Sequence, residues 1–222
     1  MPNLIKILIT LLLLKAGAYK VYGQYRTTIS VGTTRSLGGN LNTYISHSAT
    51  PWILDVEVDR KAFGSFYLVS GLSSYGVGYS STSNFFGPAD SDYSARFLAV
   101  PILARWNIGN RNTWYIDFGL VVSYLADAKL KETAYKFGNA QTYSGDITPY
   151  LNRFYQVLKF QETFAFNRFT ISIFFLLELK GQSTINNLAD HWGLNAQQST
   201  FINSSGYSDF SLLGLKAGCR IR

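Results

Sequence analysis

From Gln24 to Arg222 the chain reads as eight segments in which apolar and polar residues alternate, joined in turn by long polar loops and very short turns. A period of two sends successive side chains to opposite faces of a β-strand. Such a chain can only build a sheet with one greasy and one polar face. The last segment is the plainest case. Leu213, Leu215, Ala217, Cys219 and Ile221 fall on one face, against Gly214, Lys216, Gly218, Arg220 and Arg222 on the other.

The same rhythm recurs upstream. Ile171, Ile173, Phe175, Leu177 and Leu179 oppose Thr170, Ser172, Glu178 and Lys180, with Phe174 and Leu176 on the polar side. Phe154, Leu158, Phe160, Phe164 and Phe166 oppose Lys159, Gln161 and Thr163, while Glu162 interrupts the apolar face; a bulge or an interfacial position would explain it. Trp114 to Tyr124, Leu98 to Trp106, Trp52 to Val58 and Ile29 to Val31 continue the pattern, and Gly64 to Tyr79 carries it most weakly. Each segment can supply the ~9–11 residues that a tilted strand needs to cross a bilayer.

Arg60-Lys61-Ala62, Gly109-Asn110-Arg111 and Asn167-Arg168 read as tight turns. Residues 34–50, 80–93, 129–150 and 181–206 read as long loops rich in Ser, Asn, Thr and Gly. Outer-membrane barrels keep short turns on the periplasmic side and long loops outside. The expected fold is therefore all-β, an eight-stranded antiparallel up-and-down transmembrane β-barrel over residues 24–222. A soluble sandwich or lipocalin-like barrel would alternate too, but with its apolar face inward. In hydrocarbon the sheet must close, because an unpaired backbone N–H or C=O costs several kcal/mol there.

Residues 1–23 form the one segment outside this pattern. Lys6 precedes an apolar run from Ile7 to Leu14 and a small-residue exit, the layout of a signal peptide. The run is too short for a spanning helix, which needs ~20 apolar positions. Cleavage after Gly23 leaves Gln24 first; cleavage after Ala18 is the alternative. The formal charge of +7 loses Lys6, Lys15 and Lys20 with the leader, so 17 basic residues face 13 acidic ones, a net +4. No basic run exceeds two residues, which argues against a nucleic-acid partner.

Aromatics make up 16% of the chain, more than most soluble domains need and in keeping with interfacial girdles. Trp52, Trp106, Trp114, Tyr115 and Tyr124 sit near strand ends and are expected at the headgroup level. The inward set contains Arg26, Asp55, Glu57, Asp59, Arg105, Asp117, Lys159, Glu178, Lys180, Lys216 and Arg220. Eight strands enclose a bore just wide enough for side chains to fill, so these charges are expected to pair and plug it.

The segment F-L-A-V-P-I-L-A-R-W at Phe97–Trp106 resembles a strand of the PorT-like small outer-membrane β-barrels of the Bacteroidetes. Pro101 matches that family's proline, Arg105 its terminal base, and Leu98, Val100 and Ile102 its lipid-facing positions. Gly23-Gln24 and the closing G-L-K-A-G-C-R-I-R are similar to it as well. Ala99 stands where the family has an acidic residue, and the chain ends in Ile221-Arg222 rather than on an aromatic. The resemblance implies an outer-membrane barrel; it does not carry over the secretion role of PorT itself.

Few residues invite chemistry. The lone Cys219 excludes a disulfide within the chain and a Cys-based metal cluster. Of the two histidines, His47 lies between Ser46 and Ser48, but neighbours along a strand or loop point apart and do not make a nucleophile–base pair. Asp190-His191-Trp192 would need metal ligands from elsewhere. Asp90 and Asp92 lack the spacing of a calcium loop. Gly76-Val77-Gly78 lacks the strand–helix context of a nucleotide site. No catalytic, cofactor or metal residue is assigned. The leading reading is a non-enzymatic barrel held in outer-membrane lipid, with a structural role or one of docking an envelope partner through the four long loops, in the service of envelope transport or secretion. A narrow conduit for small or hydrophobic solutes and an envelope lipid-modifying enzyme are the alternatives.

Overall fold

The computed structural model describes residues 25–36, 44–47, 52–83, 89–108, 113–136, 139–180 and 211–221. The expected signal peptide, the turn at 109–111 and the loop at 181–206 lie outside them. Ten strands are described: β1 (Tyr25–Ser36), β2 (Tyr44–His47), β3 (Trp52–Phe63), β4 (Phe66–Ser83), β5 (Ala89–Asn107), β6 (Trp114–Lys136), β7 (Asn139–Asp146), β8 (Phe154–Phe166), β9 (Phe169–Lys180) and β10 (Ser211–Ile221). Eight of them close a cylinder. β1, β3, β4, β5, β6, β8, β9 and β10 pair antiparallel in that order, and β1 pairs with β10 to complete the ring. Every described barrel strand thus has a hydrogen-bonded neighbour on both sides.

The polarity of the cylinder is inverted relative to a soluble protein. Leu98, Ile102, Phe118, Leu120, Phe160, Ile171, Ile173, Leu213 and Leu215 stand exposed around the outside, while Asp55, Asp117 and Lys159 are buried within. A soluble monomer rarely exposes an apolar patch beyond a few hundred Å²; here it encircles the molecule. The chain is an eight-stranded transmembrane β-barrel.

The two described barrel turns and both described ends gather at one rim. Phe63 pairs with Phe66 across Gly64-Ser65, and Phe166 with Phe169 across Asn167-Arg168. Gly64 (φ 51°) and Asn167 (φ 57°) take the left-handed backbone that glycine and asparagine tolerate best. The first turn therefore sits beyond the expected Arg60-Lys61-Ala62. Those three residues belong to β3, whose register shifts between Lys61 and Phe63. Aromatic side chains ring this rim: Phe66 stacks on Trp106 and Trp114 on Phe164. Beyond the belt's far edge Tyr124 meets Phe154 edge-on, and Trp52, Trp106 and Trp114 face outward. Tyr115 departs from the expected girdle: at 0% exposure it points into the bore, one step out of phase with Trp114.

The largest departure concerns the loops. Residues 80–93 are mostly strand, since β4 runs to Ser83 and β5 begins at Ala89. Residues 129–150 hold the end of β6, the whole of β7 and a 3-10 turn at Thr148–Tyr150. Within 34–50, β2 pairs with the far end of β4. Above the apolar belt the sheet therefore continues in the order β2-β4-β5-β6-β7. Their outward positions carry Arg96, Ser94, Asp92, Lys129 and Lys131 in place of apolar residues, so a reading keyed to a lipid-facing stripe ran past them.

Leu215 lies mid-strand on the lipid side. Replacing it with Arg is expected to cost about 2–4 kcal/mol, the penalty for a cation near the bilayer midplane. Denaturant unfolding of the protein folded into phospholipid vesicles checks this value.

Candidate functional site

Two regions carry the chain's polar chemistry, the bore and the outer face of the projecting sheet. The bore is layered. Toward the turn rim, inward positions on β1, β3, β5, β6, β8 and β10 supply Arg26, Asp55, Glu57, Asp59, Arg105, Asp117, Lys159 and Lys216. Arg105 is its hub. Its Nε and Nη2 donate to the two oxygens of Asp117, each at 2.7 Å, while Nη1 reaches Asp59 at 2.8 Å and Nη2 reaches Glu57 at 3.2 Å. Lys159 and Lys216 approach the Asp55–Glu57 pair from β8 and β10. Their ammonium groups lie 3.0 and 2.8 Å from Glu57 Oε1, and both also contact Asp55. Arg26 closes the rim side through Asp59 (2.8 Å) and the Tyr115 hydroxyl (3.0 Å).

Four carboxylates thus face four cations in this network, so it is neutral as a set. Neutral polar groups finish it. Gln161 donates to Asp117 and Thr163, Thr163 bonds Ser172, and the Ser73 hydroxyl donates to Asp55. Arg220 lies over the Tyr115 ring, 4.8 Å from its centre. Between Ser30, Gln161 and Arg220 remains a polar cavity with about 10 Å³ open to a water's centre, the room one water needs. Each of those three side chains carries a buried polar atom without a hydrogen-bond partner.

The far half of the bore is apolar. Tyr75 stacks on Phe97, and Tyr155 meets Phe97 edge-on, both at 5.2 Å between ring centres. Leu125, Val157, Leu176 and Leu212 pack into the same cluster. Ile147 and Leu151, from the connection between β7 and β8, join it as well; that connection is tied to β6 by Ile147 N–H donating to Ala128 and by Ala128 N–H donating to the Thr148 hydroxyl. Phe174 marks the boundary. Its ring centre lies 5.8 and 6.0 Å from the Lys159 and Lys216 ammonium groups, and the ring covers Gly214, where a Cβ would collide with it.

Most inward residues read from the alternation meet in this network. Glu178 points inward farther up, and the Lys180 side chain lies outside the described residues. Glu162 faces outward in unbroken register and accepts a 2.7 Å hydrogen bond from the Trp114 indole. The register shift of that hairpin lies instead at Gln156/Val157. The apolar upper bore was the feature missed, although Tyr75, Val77, Tyr93 and Tyr155 signalled it by occupying inward positions.

On the outer face above the belt, a cavity of about 510 Å³ opens over β4, β5, β6 and β7, lined by Ser80, Asp92, Ser94, Lys129, Lys131 and Ser144 among others. The cross-strand register aligns Ser80, Asp92, Lys131 and Ser144 in one row, with Ser94, Lys129 and Asp146 in the row below. Asp146 holds the hydroxyl and the backbone N–H of Thr148, and these bonds keep its carboxyl below the usual aspartate value.

The sequence's other candidates are not gathered. His47 is in β2, Cα-paired with Ser80, but its side chain and those of Ser46 and Asp90 lie outside the described residues, as do Ser48 and Asp190-His191-Trp192. Gly76 lies in β4, where its carbonyl accepts from Thr34 at 3.3 Å. Among the described residues, no three His, Cys, Asp or Glu side chains are placed to hold a metal ion.

No protein-family model matches the chain, and no curated protein does. Among solved structures it is similar to Ail, the attachment invasion locus protein of Yersinia pestis, at 12% identity and a TM-score of 0.42 over 89% of this chain and 99% of that one. It is also similar to Neisserial surface protein A, at 7% and 0.39 over 90% and 99%. The outer membrane protease OmpT of Escherichia coli matches at 8% and 0.36 over 91% and 97%.

Arg105→Met would strand Asp117 and strip Glu57 and Asp59 of a partner. The expected loss is about 3–5 kcal/mol of unfolding free energy, the usual result of breaking a buried ion pair from one side. Arg105→Lys should recover only part of it, since one ammonium cannot reproduce the two-pronged contact with Asp117. Urea titration of the three proteins in vesicles measures both effects.

Proposed function

We propose that this chain is an integral outer-membrane protein of the PorT-like kind, delivered by its N-terminal leader. In this reading it is a non-conducting mount that presents the β2-β4-β5-β6-β7 extension and the long connections to an envelope partner. One observation carries the reading: side chains from every barrel strand occupy the bore, ionic in one half and aromatic in the other. A barrel meant to pass solutes would leave that volume to water. What remains available for recognition is the material beyond the belt, on the side opposite the turns and the described chain ends. Long connections on a rigid scaffold are where barrels of this kind place function.

Planar-bilayer recordings of the purified protein should show no sustained stepwise openings; a stable open level would refute the filled bore and favour the conduit. Cross-linking in intact cells, followed by identification of the captured chains, tests the mount. The expected outcome is one recurrent envelope protein whose capture depends on residues of the extension. The lipid-modifying alternative is tested separately, by comparing lipid A masses from cells with and without the protein.

A further inference from the structure

We propose that the cavity on the outer face of β4–β7 binds the phosphorylated saccharide headgroup of an outer-leaflet lipid. The inference rests on the membrane reading above and deepens it. The position comes first. On β5 the outward residues run Trp106, Ala104, Ile102, Val100 and Leu98, then change to Arg96, Ser94 and Asp92. On β6 they run from Trp114 to Tyr124, then change to Asp127, Lys129 and Lys131. At ~3.3 Å per residue, the Ser94 row lies roughly 13 Å along the strand beyond Leu98, and less along the membrane normal because barrel strands tilt. The cavity therefore opens sideways at the height of lipid headgroups. The apolar strip of Leu98, Val122 and Tyr124 directly below it would take the acyl chains.

The charge distribution comes second. Each of the three acidic groups on this patch is already engaged within the protein. Asp127 pairs with Arg96 at 2.9 Å, Asp92 accepts from Ser80 at 2.6 Å, and Asp146 holds Thr148. Lys129 and Lys131 form no salt bridge among the described residues. They sit two residues apart on one face of β6, so their Cα atoms are roughly 7 Å apart and both stems rise from the same wall of the cavity. Lys129 faces Asp146 across the β6–β7 pair and helps to hold that carboxyl down. Lys131 faces Asp92, whose carboxylate accepts from Ser80. With neither ammonium within salt-bridge distance of a described carboxylate, both have room for an added anion at headgroup height. The surrounding hydroxyls of Ser94 and Ser144 call for a neighbouring polyol. A phosphate carried on a sugar satisfies both demands, and a volume of about 510 Å³ accommodates a headgroup of that size.

The test uses the full mature chain in micelles doped with diphosphorylated lipid A, or with the same lipid enzymatically stripped of phosphate, and native mass spectrometry as readout. The intact chain should retain the phosphorylated lipid and not the stripped one. The double variant K129Q/K131Q should lose retention by at least about tenfold, since a hydrogen bond to a charged group carries ~1.5–3 kcal/mol and 1.4 kcal/mol is a factor of ten. Lys61→Gln, at the opposite rim, should retain the lipid as the unaltered chain does. Inorganic phosphate should fail to displace it. Equal retention of the stripped lipid, undiminished retention by the double variant, or displacement by inorganic phosphate would each overturn the proposal. Gel mobility shifts on heating report insertion independently. A chain that folds and inserts but binds no lipid refutes this site alone, whereas one that never inserts refutes the membrane reading.

Discussion

Backbone hydrogen bonding in a medium without water is the constraint from which the rest follows. Nothing in hydrocarbon can accept an orphaned N–H, so a sheet there has no tolerable edge. This chain meets the requirement by pairing its first barrel strand with its last, Thr27 opposite Ile221 through Ser36 opposite Leu212. The ring is complete only when both ends of the barrel segment have arrived. The luminal ion pairs share that dependence: Lys216 reaches Asp55 across 161 residues of sequence, and Lys159 reaches it across 104. Local hairpins can form early, but closure and charge neutralisation arrive together, at the high entropic cost of non-local contacts.

Closure in turn dictates what the bore can hold. Four buried carboxylates would be untenable alone, since burying an ion costs several kcal/mol even after relaxation. Bringing Arg26, Arg105, Lys159 and Lys216 among them turns that cost into a constraint on register. A slip of one residue in β3 would send Asp55, Glu57 and Asp59 into lipid and Leu54, Val56 and Val58 into the bore. The ionic layer therefore works chiefly against wrong pairings. The aromatic layer above it supplies ordinary packing: Tyr75, Phe97 and Tyr155 bury their rings, and the Tyr75 hydroxyl finds Ser123 at 2.8 Å.

Much of this was legible because lipid outside and ions inside give alternation its strongest contrast. The number of barrel strands, the faces of β3, β8, β9 and β10, and most of the membership of the ionic network follow from period two. Legibility fails where that contrast fades. Trp114 and Tyr115 are both amphipathic aromatics, and composition cannot say which of them faces the headgroups; the register of Asp117 and Phe118 two and three residues later decides it. Glu162 looked misplaced because its compensating donor, Trp114, is 48 residues away in sequence. The turn after β3 was placed too early because Arg60-Lys61-Ala62 is polar, whereas Gly64 supplies the positive φ. The outer halves of β5 and β6 escaped notice because their outward face turns from apolar to Arg, Ser, Asp and Lys, which removes the lipid-facing stripe although the inward face stays apolar.

Those outer halves also locate the membrane boundary. Along β5 the inward residues stay apolar throughout, from Leu103 through Ala99, Phe97 and Ala95 to Tyr93, each buried. Only the outward residues change character, from Leu98 to Arg96. Along β6 the same happens between Tyr124 and Asp127, while Leu125, Ala128 and Leu130 remain buried. A strand leaving lipid for water must exchange the solvent of one face while keeping the core of the other. Here that exchange falls at the register shift between Arg96 and Phe97, where β6 carries one extra residue. A bulge increases local twist, so the sheet turns at the very level where its surroundings change. The chemistry the chain offers to the outside begins at that level, on strands that are still held by the barrel beneath.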